Sequence, residues 1–85
     1  MIVRQWQVWV MKCMDKWVVF CPNIPDSEPN HDEHKDYGQA KSRGIGLTAH
    51  YINRCKRKGA SPDLTPNDEL PPPPHGAEVL RMSSN

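Results

Sequence analysis

The chain has 85 residues, a formal net charge of +1, 36% hydrophobic residues, nine prolines and three cysteines. A chain this short makes one small domain that buries only about 60% of the surface its unfolded form exposes. The near-neutral charge speaks against a chain-wide nucleic-acid binder, and no run approaches the roughly 18 apolar residues that a membrane-spanning helix needs.

Most of the capacity for burial lies between Trp6 and Cys21, which hold all three tryptophans, the only phenylalanine, two of the three cysteines and four valines. Alternation of β-branched and aromatic residues with polar ones predicts a strand over about residues 2–13 and a second over 16–21, joined tightly at Met14 and Asp15. Neither strand is one-sided: Trp9 and Met11 in the first, and Val18 and Phe20 in the second, leave the other face apolar as well. Both faces therefore ask for cover.

Pro22 ends the second strand, because proline has no N–H for the ladder. Residues 22–36 then read as an acidic loop, in which Asp26, Glu28, Asp32, Glu33 and Asp36 meet only Lys35. Asp36 is a helix N-cap, and Tyr37, Ala40, Gly44, Leu47, Tyr51 and Cys55 fall on one stripe at spacings of three and four, predicting a helix over about residues 37–58. Gly59 closes it after Lys56, Arg57 and Lys58. Gly38, Gly44 and Gly46 each cost about 0.5–1 kcal/mol in a helix interior, so an alternative is a loop to about Gly46 and a shorter helix from Thr48.

Residues 59–85 contain Pro62, Pro66 and the run Pro71 to Pro74, which predicts an extended, disordered tail with little apolar surface to order it. On that reading a chain ending at Ser61 keeps its fold. Ala77 to Met82 is a short apolar patch beyond the stiff spacer, able to return as a third strand or a short helix. The predicted architecture is thus α+β: a domain over residues 1–58 in which a β-hairpin, with room for a third strand, packs on one C-terminal helix, followed by a Pro-rich mobile tail.

Catalytic signatures are missing. No serine sits in a nucleophile elbow, no HExxH occurs, and the carboxylates lack apolar surroundings that would raise a pKa. Gly44 to Ala49 matches GxGxxA, but that fingerprint requires a strand immediately before it. His31, His34, His50, Cys21 and Cys55 are possible zinc ligands, but the paired-cysteine knuckle of structural zinc sites is absent; buried thiols and solvated histidines are the simpler reading, and no cofactor is expected. Lys41, Arg43, Arg54, Lys56, Arg57 and Lys58 form a basic set that could follow a phosphate backbone, although the adjacent acidic loop opposes a polyanion.

The order of Trp17 to Cys21, an acidic loop, Ala40, and Ala49 and His50 followed by Cys55 resembles the layout of many small phage-encoded accessory proteins, over about half of the chain. The resemblance implies a host-directed binding protein and transfers no site residue. The aromatic residues exceed what a hairpin and one helix can bury, so Trp6, Trp9, Trp17 and Tyr51 are expected as exposed partner anchors. The functional expectation is a small non-enzymatic protein that binds and modulates or inhibits a host protein, with a homodimer through the hairpin edge as a further partner. Nucleic-acid binding through the basic helix end and a degenerate zinc module are the alternatives. Three cysteines cannot all pair within one chain, and no signal-peptide h-region follows Arg4, so a reduced, cytoplasmic protein without membrane contact is expected.

Overall fold

A computed structural model describes residues 4–84, which form an antiparallel four-stranded sheet with a helix across one face. Strand β1 (Arg4–Cys13) turns into β2 (Lys16–Phe20), β3 is His31–His34, helix α1 is Tyr37–Arg57, and β4 is Glu78–Ser84. The strand order is β3-β2-β1-β4. The α+β expectation stands, and its boundaries change in four places. β1 is described from Arg4, so the expected start at residues 2–3 lies outside the described residues; β2 ends one residue early, at Phe20, and α1 one residue early, at Arg57.

The third change is β3, inside the stretch read as loop, where His31–His34 pairs with Trp17–Phe20. Four polar residues carry no alternation, and they form a strand because β2 offers them an open edge. The fourth change is β4. β1 is ten residues long, but β2 covers only its distal half, Trp9–Cys13. Arg4–Val10 finds its partner in β4, with Trp6 opposite Met82 and Val8 opposite Leu80. The domain therefore does not end at residue 58: the segment read as tail supplies an edge strand, and Leu64, Leu80 and Met82 pack on the core.

Directly opposed residues share a sheet face. Trp6, Val8, Val10, Val19 and Cys21 meet Ala40, Leu47 and Tyr51 of α1 in one core, while Trp9, Met11, Val18, Phe20 and Val79 lie on the face turned from the helix. The longer-helix reading holds through Gly44 and Gly46. Gly44 is buried against β1 and β2: a Cβ there would overlap the Val19 side chain and stand 2.7 Å from Val8 Cγ1. Close helix–sheet approach outweighs the propensity that glycine forfeits. At the helix ends, Asp36 accepts from Gln39 N at 2.9 Å, and Gly59, at φ +72°, donates to Lys56 O at 3.1 Å.

Candidate functional site

The expected aromatic anchors are core residues. Trp6 is 6% exposed, Trp9 4% and Tyr51 4%. Trp9 donates its indole N–H to Gln7 Oε1 at 2.9 Å and tilts against Phe20 at 5.7 Å. Tyr51 accepts from Asp63 N at 2.9 Å, and burial pushes its phenol pKa up. Trp17 is half-buried, edge-on to Tyr37 at 4.9 Å and under Lys12 Nζ at 5.0 Å. Two strands and one helix alone could not cover them; the added strands and the returning segment supply the missing cover.

The possible zinc ligands are scattered. Cys21 is fully buried, donates to Gly44 O at 3.2 Å, and has its thiol pushed up to about 11 by desolvation. His31 contacts Asn30 Oδ1, His34 contacts Asp32 Oδ2, His50 is exposed on α1, and Cys55 is half-buried. Among the described residues no three His, Cys, Asp or Glu side chains converge as metal ligands require. Gly44 to Ala49 lies inside α1 and offers no phosphate loop.

The basic set divides. Arg43, Arg54 and Arg57 line one groove with Pro29, Leu47 and His50, about 320 Å³ in volume. Lys41 instead lies over the Tyr37 ring at 5.7 Å, and Lys56 and Lys58 are exposed at the helix end. Arg43 Nε meets Asp32 Oδ2 at 3.1 Å, and Arg54 Nη2 stands 3.8 Å from Glu28 Oε1. The Asp32 carboxyl is held below its ordinary pKa, chiefly by the Glu33 backbone N–H, with Arg43 and His34 adding to it. The 4-3-4-3 spacing of Arg43, Leu47, His50, Arg54 and Arg57 was legible in the sequence; the Pro29 wall was not.

The two sheet edges differ in kind. β3 is four residues, all polar or charged, which blunts it. β4 runs for seven residues, and of its two charges Glu78 is tied to the Tyr37 hydroxyl at 2.6 Å. Its outward groups follow from β1: Gln7 N donates to Asn23 Oδ1, on the β2 side. Backbone direction alternates along a strand, so Trp6, Val8 and Val10 face β4 and bond their partners Met82, Leu80 and Glu78. The N–H and C=O of Val79, Arg81 and Ser83 consequently point away from the sheet. The short apolar patch at Ala77 to Met82 was the signal for this strand, but nothing in it told which edge stays open.

The fold and these surfaces define a small sheet-and-helix module with an open strand edge and a basic groove. Compared with known proteins, the chain matches no family model, no curated protein and no solved structure. Among the described residues no helix is long and apolar enough to cross a membrane.

Proposed function

We propose that the protein is a non-enzymatic interaction module whose β4 edge takes up an extended strand of a partner protein. The observation that carries the reading is the asymmetry of the edges: β3 is short and polar, whereas β4 is long and, among the described residues, has Arg81 as its one untethered charge. An open edge supplies main-chain donors and acceptors to an added strand, and side chains on alternate positions supply selectivity. Val79 of this strand is half-buried on the sheet face turned from the helix, which Met11, Val18 and Phe20 continue across β1 and β2. The likeness in layout to phage-encoded accessory proteins makes the partner a host protein, with inhibition or redirection as the outcome. A second copy of the chain is the other strand donor, joined across a two-fold axis at Leu80.

Arg81→Pro tests the edge. It removes one outward N–H and leaves the β1–β4 ladder intact, because proline is tolerated where the N–H faces solvent. The expected result is a native circular dichroism spectrum with association abolished, read as light-scattering mass for self-pairing, where the pure chain gives twice its 9.7 kDa, and as hydrogen exchange for a captured partner. Amides of Val79, Arg81 and Ser83 that stay unprotected in every complex the protein forms would sink the reading.

A further inference from the structure

We infer that the groove between α1 and the β2–β3 loop is a binding site for the phosphodiester backbone of a single nucleic-acid strand, apart from the β4 edge. Its floor is Leu47, 3% exposed, and its far wall is Pro29. Arg43, His50, Arg54 and Arg57 stand along one side of the helix and reach into it. At about 1.5 Å per residue, Arg43 to Arg57 covers about 21 Å. That length follows a strand rather than capping one phosphate.

The arginines differ in state, and the difference favours an anionic guest. Arg43 is held by Asp32, which fixes its guanidinium at the groove's upper end. Arg54, about one-third exposed, lies over the Tyr51 ring at 5.9 Å, and its Nη2 stands 3.8 Å from Glu28 Oε1, an ion pair longer than a hydrogen bond. Arg57 is exposed and, among the described residues, has no ion pair. Lys56 and Lys58 extend the positive surface beyond it, so five cations stand against the two carboxylates of Glu28 and Asp32. Anion binding near a helix C-terminus is opposed by free carbonyls, but here Lys58, Gly59 and Ala60 cap the carbonyls of Arg54, Cys55 and Lys56.

The loop decides the form of the guest. Glu28, 3.8 Å from Arg54 Nη2, lies on the loop side of the groove, where the second strand of a duplex would fall and be repelled. His50, exposed between Arg43 and Arg54, presents a ring on which an unpaired base can stack. RNA and DNA share the backbone chemistry, and the experiment separates them.

Fluorescence anisotropy with labelled mixed-sequence RNA and DNA oligonucleotides, single-stranded and duplex, tests the assignment on the full chain. With three phosphates engaged, single-strand affinity should fall about 20-fold between about 50 and about 200 mM salt. Arg57→Ala should weaken binding and flatten that salt slope, whereas Lys16→Ala, on the hairpin and paired with Glu33 at 3.6 Å, should change neither. Arg57 is exposed and outside the core, so a native circular dichroism spectrum is expected to accompany the loss. A preference for RNA or for DNA identifies the source and supports the site either way. Absence of binding at about 50 mM salt, an Arg57→Ala affinity equal to that of the parent, or tighter binding of duplex than of single strand would overturn it.

Discussion

Asn23 and Thr65 hold each other through two hydrogen bonds, 2.7 Å from Asn23 Nδ2 to Thr65 O and 2.9 Å from Thr65 N to Asn23 O. Asn23 is fully buried, and its side chain also accepts from Gln7 N at 2.8 Å and donates to Asn67 Oδ1 at 2.8 Å. It thus takes the place of the strand partner that β1 loses where β2 ends, and it ties the returning segment to the sheet. Asn23→Ala leaves the Gln7 amide and two acceptors without partners, at about 1–3 kcal/mol for each group that stays dry. Urea denaturation should show a loss of about 3 kcal/mol, and Asn23→Asp, which sets a buried carboxylate oxygen against the Thr65 and Asn67 acceptors, should lose at least as much as Asn23→Ala.

Truncation at Ser61 now carries the opposite expectation from the one that composition suggests. It removes β4, the partner of Arg4–Val10, and also Leu64, Leu80 and Met82 from the edge of the core. A three-stranded remnant with β1 unpaired along that edge should melt without a cooperative transition. Calorimetry of the shortened chain decides the point, and a sharp melt near that of the full chain would count against it.

The two glycines of α1 should respond in opposite directions to alanine. At Gly46 a Cβ would meet His50 at 3.5 Å, an ordinary contact, so Gly46→Ala should stabilise by about 0.5–1 kcal/mol through helix propensity. At Gly44 it would collide with Val19 and Val8, and overpacking of about 1–3 kcal/mol should exceed that gain. Denaturation midpoints of the two variants, measured side by side, should move apart.

Met14 stands at the hairpin tip with φ +59° and is 91% exposed. A side chain in left-handed conformation costs roughly 1–2 kcal/mol that glycine avoids. Met14→Gly should therefore raise Tm by roughly 4–8 °C for each kcal/mol recovered. An unchanged or lower Tm would mean that the glycine gains as much freedom in the unfolded chain as the strain it relieves.

Cys21 links stability to alkaline pH. Its thiol has an ordinary value of 9.0, and burial raises it to about 11 in the fold. The unfolded chain therefore releases its proton first, so the stabilisation is complete below about pH 9 and is lost as pH rises towards about 11. A difference of that size corresponds to roughly 2–3 kcal/mol. The raised Tyr51 phenol adds to the same slope, so the comparison is with Cys21→Ala, whose stability should fall less steeply over that window.

Local chemistry was enough to read several elements from the residues alone. Alternation around Trp6 to Cys21 marked β1 and β2, and the stripe from Tyr37 to Cys55, capped by Asp36 and Gly59, marked α1. Each depends on contacts within a few residues, which periodicity and capping record directly. β3 and β4 form on edges that exist only once β1 and β2 have paired, so neither His31–His34 nor Glu78–Ser84 carries its full signal in its own residues. The candidate site divides along the same line. The arginine stripe on α1 could be read from spacing, whereas the groove wall at Pro29, the burial of Trp6, Trp9 and Tyr51, and the open edge of β4 depend on which strand lies beside which. Burial and edge exposure are properties of neighbours far apart in the chain, and here Asn23, meeting Gln7 and Thr65 across 16 and 42 residues, decides which neighbours they are.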